Sequence, residues 1–312
     1  MQIEDILKQH FSEDKIKRDE DIAKYLTLQT GVKVGYLVLV NSFADWQNLS
    51  QILHKYDVEI GVVGGGSNLV ISRAKKDFYI LNRWIKKSIV RSDERYTFIK
   101  VSSGYPIFRL VRETVNQGLS GLQYHWGLPG TVGGALYMNS KWTKPLAYVG
   151  DVVDKVLLLD KKGRFRWEDK DYMKFDYDYS ILQDTGEFLV EVIFRLENND
   201  YDAVYTQALQ AYEYRRKTQP FGRRTSGCFF QNISEKDQKK HNLPTKSAGW
   251  LIDKAGLKGL RIGGFRVSDT HANFIENIGG GDVEDLRKLI DLIQKKVRNK
   301  FGIDLKLEVV IE

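Results

Sequence analysis

Gly127-Leu128-Pro129-Gly130-Thr131-Val132-Gly133-Gly134-Ala135 is the stretch on which the reading of this chain turns, and Gly64-Gly65-Gly66-Ser67-Asn68 echoes it upstream. Glycine reaches positive φ freely and has no Cβ, so a glycine-rich main chain turns sharply and lets a ligand approach closely. Successive N–H groups in such turns form concave sites for anions. Two of them point to a ligand with more than one phosphate, such as a dinucleotide, with a pair of structural turns as the alternative. Neither stretch has the spacing of a Rossmann fingerprint or a P-loop, so those two cofactor motifs are excluded.

The segments around the loops alternate between strand and helix. Residues 34–40 predict a strand, and 43–56 a helix with Phe43, Trp46, Leu49, Ile52 and Leu53 at helical spacing. Residues 59–63 predict a short buried strand that runs into the first loop, a β-α-β unit ending in a phosphate-type turn. Runs at 69–71 and 79–81 predict further strands, and residues 1–27 read as helical, with Ile3, Ile6, Leu7 and Phe11 in register. Beyond Trp84, residues 98–102 alternate as a strand, 107–117 read as a helix closed by Gly118, and 151–163 as a strand ending in a hairpin turn. Residues 188–196 alternate again. A helix over 201–218 opens a third block, whose last helix starts at Asp282, buries Leu286, Leu289, Ile290, Ile293 and Val297, and stops at Gly302. Residues 305–311 predict a final strand.

At 312 residues, 42% hydrophobic and 29% charged, the composition is that of an ordinary soluble protein of two or three domains. A single cysteine, Cys228, excludes an intrachain disulfide. No signal peptide and no apolar run of membrane-spanning length is visible, which predicts a cytoplasmic protein without membrane insertion. The net charge of +7 is dispersed, with short clusters at Arg215-Arg216-Lys217, Arg223-Arg224 and Lys295-Lys296. A well-mixed basic surface or a site for phosphorylated metabolites accounts for it, and no nucleic-acid signature accompanies it.

Ser226-Gly227-Cys228-Phe229-Phe230-Gln231-Asn232 places a titratable side chain beside glycine, then two aromatics and two amides. The thiol reads as a proton donor, a nucleophile or a plain core residue, and neighbouring arginines would lower its pKa. The five histidines show no metal-ligand spacing.

These stretches, taken in order, resemble the UDP-N-acetylenolpyruvoylglucosamine reductase family. The resemblance runs through Gly64–Val70, Gly118-Leu119-Ser120-Gly121-Leu122 leading into the main loop, Met138-Asn139, the Cys228 motif, 247–253, 256–264 and Leu307-Glu308-Val309. It implies an α+β fold of the FAD-binding type shared with vanillyl-alcohol oxidase. Two α+β subdomains, 1–84 and 85–197 with 302–312, would hold non-covalent FAD, and a substrate domain, 198–301, would complete the chain. The activity implied is a step of peptidoglycan precursor synthesis. NADPH reduces the flavin and leaves; the UDP-sugar enolpyruvyl ether takes hydride from flavin N5 at C3 and a proton at C2, giving UDP-N-acetylmuramate. A monomer that binds UDP-sugar and NADPH, and no nucleic acid, is implied.

By the same resemblance, Gly64, Gly65, Gly66, Ser67, Asn68, Gly127, Pro129, Gly130, Thr131, Gly133, Gly134 and Ala135 bind the cofactor. Cys228 falls where the family most often has a serine proton donor, and a thiol donates more readily than a hydroxyl. Glu308 falls on the acidic residue that stabilises the enol, and Asn232 and Lys217 on contacts to the UDP phosphates. One departure concerns charge: Phe175-Asp176-Tyr177-Asp178-Tyr179-Ser180 matches a Phe-x-Tyr-Arg-x-Ser pattern, with Asp178 in the place of the catalytic arginine. Arg261 and Arg266 are the replacements named by sequence. A second departure is Ser140-Lys141-Trp142-Thr143-Lys144, where the family has Ala-Gly-Ala-Tyr, and a third is Val32–Tyr36 in place of Lys-Ile-Gly-Gly. The rival readings are another FAD-linked oxidoreductase on the same scaffold and a catalytically weakened flavin- or UDP-sugar-binding relative.

Overall fold

The computed structural model describes residues 2–312. The chain forms two compact units. The first contains the chain up to Glu20, Val34–Gly65 and Lys76–Arg215; the second contains Asp21–Lys33, Gly66–Lys75 and Arg216–Glu312.

In the first unit a four-stranded sheet runs in the order Ile16–Asp21, Lys33–Val40, Phe78–Asn82, Ile60–Val63. The last three strands are parallel, and the helix Phe43–Lys55 provides the crossover between Lys33–Val40 and Ile60–Val63. That helix begins with a capping box in which Ser42 and Asp45 satisfy each other's main-chain N–H groups. Its Trp46, Leu49 and Ile52 pack with Ile6 and Leu7 of the helix Ile3–His10. Past His10 the sequence expectation of helix fails, because Ile16–Asp21 is an edge strand. Its Ile-Lys-Arg-Asp-Glu-Asp composition suits an exposed sheet edge, where charge discourages pairing with other chains.

The second sheet of this unit is antiparallel, in the order Phe165–Asp169, Val153–Leu159, Phe188–Asn198, Tyr96–Ser102, Lys87–Ser92, with Leu119–Ser120 paired to the end of Phe188–Asn198. Both faces of its centre are covered. Val156 and Leu158 enter a core with Leu110, Val111 and Leu136, while Leu157 and Leu159 enter the core of the first sheet. This explains why Val156-Leu157-Leu158-Leu159 is continuously apolar instead of alternating. The helix Tyr201–Thr218 buries Val204 and Ala208 in the first of these cores.

The second unit packs the helices Ala248–Lys254 and Val283–Phe301 against the three-stranded antiparallel sheet Arg261–Ile262, Phe265–Val267, Ile275–Asn277. Phe229, Phe230, Leu28 and Val70 complete this core. Asp282 caps the long helix through Asp285 N–H, and Gly302 ends it at φ +68°. The terminal strand is shorter than its apolar run predicts: only Val310–Ile311 pairs, in parallel, with Leu69–Val70.

Candidate functional site

The two glycine loops press main chain against main chain in the first unit. A Cβ on Gly65 would overlap the Gly130 Cα, and one on Gly64 would stand 2.6 Å from Thr131 Oγ1. Gly130 has φ +103° and Gly127 φ +84°, conformations that glycine adopts without strain. Thr131 caps the short helix Val132–Tyr137 by accepting from Gly134 N–H at 3.3 Å. Gly133 lies against Ser103, to whose carbonyl its N–H donates at 2.8 Å, and Val132 N–H donates to Tyr105 O at 2.8 Å. The N–H groups of 132–134 are therefore engaged within the protein. At Gly64 and Gly65 the missing Cβ makes room for the second loop, at Thr131 and Gly130. Arg83 steadies the first loop by donating to Gly64 O at 2.6 Å.

At the far end of Val132–Tyr137, Asn139, at φ +44°, donates to Asp176 O at 3.0 Å and accepts from Gly150 N–H at 3.0 Å. Ser180 and Gln183 both donate to Tyr137 O, at 2.8 and 2.9 Å. The turn 176–180 is thus fastened to the helix that leaves the main glycine loop. In that turn Asp178 is buried and forms an ion pair with Lys141. The two arginines named by sequence, Arg266 and Arg261, have partners within the second unit. Arg266 is paired with Glu276 at 2.9 Å and Asp269 at 3.4 Å, and Arg261 donates to Gly263 O at 3.1 Å.

In the second unit, the Cys228 segment lies between two others. Cys228 bridges to Phe274, and Phe230 to Leu307. Glu308 N–H donates to Phe229 O at 2.9 Å and Gln231 N–H to Lys306 O at 2.9 Å, so Cys228 and Glu308 come onto adjacent extended segments. Both side chains are half-buried. Buried Asn273 holds the other side: its amide accepts from Phe230 N–H at 2.9 Å and donates to Phe230 O at 2.7 Å. Gly227 turns the chain at φ +78°, and its absent Cβ faces Ser67 O at 4.0 Å. Asn68 Nδ2 donates to Glu308 O at 3.1 Å, while Thr27 Oγ1 donates to Thr225 O at 2.7 Å and Thr27 N–H to Gly66 O at 3.0 Å. The later half of the first glycine loop, Gly66-Ser67-Asn68, is therefore gathered with Cys228 and Glu308. Asn232 accepts from Ala248 N–H at 3.1 Å, and Lys217 is exposed near the end of Tyr201–Thr218.

Lys141, Asn273 and Thr27 were not found by sequence reasoning. Asn273 and Thr27 act through main-chain clamps, which have no periodicity or motif. Lys141 lies inside a stretch whose departure from the family pattern was its only signal. Among the described residues there is no group of three His, Cys, Asp or Glu placed to hold a metal, and no helix long and apolar enough to cross a membrane.

An α+β scaffold with interlocked glycine loops is that of an FAD-binding oxidoreductase, and residues 34–168 match the FAD binding domain family. Residues 219–312 match the family described as UDP-N-acetylenolpyruvoylglucosamine reductase, C-terminal domain. The chain is 32% identical to UDP-N-acetylenolpyruvoylglucosamine reductase 1 of Bacillus anthracis, over 94% of this chain and 93% of that one. It is 32% identical to the reductase of Bacillus subtilis (strain 168), over 95% and 94%. The crystal structure of the reductase from Thermus caldophilus superposes with a TM-score of 0.74 at 27% identity, over 95% of this chain and 98% of that one. The chain belongs to the UDP-N-acetylenolpyruvoylglucosamine reductase family and is an FAD-dependent oxidoreductase.

Proposed function

We propose that this protein reduces UDP-N-acetylglucosamine enolpyruvate to UDP-N-acetylmuramate with NADPH, in peptidoglycan precursor synthesis, as a cytoplasmic monomer. The observation that carries this reading is the meeting of Cys228 with Glu308 on adjacent segments beside Ser67 and Asn68. When bound, FAD supplies hydride transfer from the nicotinamide donor to the enolpyruvyl carbon. Gly64, Gly65, Gly127, Pro129, Gly130, Thr131, Gly133, Gly134 and Ala135 shape the cradle that holds it, together with Gly66, Ser67 and Asn68. The Cys228 thiol delivers the proton to the carbon beside the one reduced. Its position is set by Gly227 and by the Asn273 clamp on Phe229 and Phe230. Glu308 stabilises the enol form that receives this proton. Asn232 and Lys217 bind the diphosphate; Asn232 is oriented by its bond from Ala248 N–H.

An anaerobic stopped-flow experiment on the FAD-loaded protein tests this. NADPH should bleach the flavin absorbance, and UDP-N-acetylglucosamine enolpyruvate should restore it. Bleaching without recovery would favour an oxidoreductase with another acceptor, and a protein that takes up no FAD would overturn the reading.

A further inference from the structure

The Lys295-Lys296 cluster does not stand alone in the fold. Three helices of the second unit, Glu235–Lys240, Ala248–Lys254 and Val283–Phe301, bring their C-terminal ends to one place. Lys300, near the end of the longest, donates to the carbonyl of Lys254, the last residue of the second. Gly302, just past that end, lies against His241, which follows the first helix: a Cβ on Gly302 would stand 2.9 Å from the His241 ring. Trp250 and Phe301 pack beside this junction with ring centres 6.0 Å apart.

Each helix carries lysine in its last turn, where a cation offsets the dipole. That explains each helix by itself, but gathering three such ends makes one basic face. Three acids there are used up: Glu235 pairs with Lys239 at 2.6 Å, Asp253 with Lys258 at 3.1 Å, and Asp304 with Arg298. Lys240, Lys254, Lys295, Lys296 and Lys300 are exposed, and none of them forms an ion pair among the described residues. Lys296 and Lys300, four apart, lie along one side of their helix, and from there Lys300 reaches Lys254. Asp291, one turn before Lys295, still leaves the excess positive.

The chemistry of the face selects among anionic partners. Its surplus cations are lysines, hydrated point charges on flexible stems that suit a diffuse negative field. The forked guanidinium that would grip a single phosphate, that of Arg298, is taken by Asp304. Single-stranded nucleic acid needs open aromatic faces on which its bases stack. Here Trp250 and Phe301 pack against the core, and the Lys300 ammonium lies 5.6 Å from the centre of the Phe301 ring. An anionic lipid surface makes neither demand and attracts clustered lysines.

We propose that this end of the second unit, through Lys240, Lys254, Lys295, Lys296 and Lys300, docks the protein reversibly on a bilayer rich in anionic phospholipid. The contact is electrostatic and peripheral, with the headgroups meeting the lysines and no helix entering the bilayer.

Co-sedimentation of the FAD-loaded protein with phosphatidylglycerol-containing vesicles, and with vesicles of phosphatidylcholine alone, tests it. The wild type should bind the former at about 0.1 M salt, where the Debye length is about 10 Å, and release them at about 1 M, where it is about 3 Å. The variant Lys240→Gln/Lys254→Gln/Lys295→Gln/Lys296→Gln should bind them at least tenfold more weakly. A control, Lys55→Gln/Lys86→Gln/Lys162→Gln/Lys174→Gln, loses the same charge from exposed positions of the first unit and should stay within threefold of the wild type. Unchanged FAD affinity shows that both variants are folded. Equal loss in the two variants, equal binding to phosphatidylcholine, or no binding to phosphatidylglycerol overturns the assignment. Binding of a single-stranded RNA oligonucleotide at the same salt that the vesicles fail to displace would give the face to nucleic acid and overturns it too.

Discussion

Asp178→Arg looks like a repair when read from sequence alone, since it restores the expected residue. With Lys141 in place it instead sets two cations against each other where only 3% of the Asp178 side chain is exposed. Breaking a buried pair in this way costs about 3–5 kcal/mol. D178R should therefore lower stability in urea unfolding by that order, and the charge-swapped K141E/D178R, which restores an opposite-charge pair, should recover part of it; equal stability of D178R and the wild type would contradict the pairing. Cys228→Ala probes the other side of the chemistry. Loss of a positioned proton donor slows its step by about 10²–10⁴-fold. The recovery phase with substrate should slow by that factor while bleaching by NADPH keeps its rate; equal loss of both phases would argue against a proton donor. His125, two residues before Gly127, presents a third case. It is fully buried, neither ring nitrogen has a partner, and burial, aided by the Arg215 charge, pushes its pKa down from 6.5 to about 3. Between those values the unfolded chain holds a proton that the folded chain lacks, so stability falls as pH drops. That loss amounts to about 2 kcal/mol at pH 5. The stability of H125F relative to wild type should thus rise by about 2 kcal/mol between pH 7 and pH 5, and a pH-independent difference would refute the buried neutral ring.

Single elements are held by small numbers of identifiable bonds, and these differ in how visible they are from sequence. Lys87–Ser92 is an exposed edge strand whose Lys87 pairs with Glu113 of the helix Ile107–Val115 at 2.5 Å. Glu113 also accepts from Arg109 at 2.8 Å and Tyr105 at 2.7 Å. Burial alone would raise its pKa, but the bonds from Lys87, Arg109 and Tyr105 outweigh it and bring it down from 4.5 to about 2. Its contribution is therefore complete above about pH 4.5 and is lost as pH falls towards 2. Glu113→Gln should cost about 1–2 kcal/mol at pH 7 and nothing near pH 2, as read by denaturant unfolding at each pH. A cost independent of pH would mean that the charge is not what matters. None of this is visible in the run Lys87-Ser88-Ile89-Val90-Arg91-Ser92, where exposed Ile89 and Val90 break the alternation that marks a half-buried strand. The helices Phe43–Lys55 and Val283–Phe301 were legible because cap, apolar face and stop are all written locally, in Ser42 and Asp45 for one and in Asp282 and Gly302 for the other. Ile16–Asp21 was not, because its pairing partner Lys33–Val40, rather than its own charged sequence, makes it a strand.

Over the whole molecule, what the sequence hides is how the chain is shared between its two units. The chain passes between them five times, and one passage falls between Gly65 and Gly66, inside the first glycine loop. A motif that reads as one turn is thus claimed on one side by Gly130 and Thr131, and on the other by Thr27, Asn68 and the terminal segment. Local patterning cannot show this, because the deciding bonds join residues some 240 positions apart. Ser72 N–H and Oγ donate to Glu312 O at 2.7 and 2.5 Å, Arg73 N–H donates to the same oxygen at 3.2 Å, and Glu312 N–H donates to Val70 O at 2.9 Å. Parallel pairing of Val310–Ile311 with Leu69–Val70 completes the tie. Deleting residues 310–312 removes all of these at once while leaving Thr27 on Gly66. If the tie holds Gly66-Ser67-Asn68 in shape for the cofactor, the truncated chain should bind FAD at least tenfold more weakly in a fluorescence-quenching titration. Hydrogen exchange should show the Ser72 and Arg73 amides losing protection, whereas those of Leu37–Val40, paired with Tyr79–Asn82 in the other unit, keep theirs. Wild-type FAD affinity in a chain whose Ser72 amide has lost protection would show that Thr27 and the Asn68 bond to Glu308 O suffice to fix the loop, and would remove the terminal strand from the account of the cofactor site.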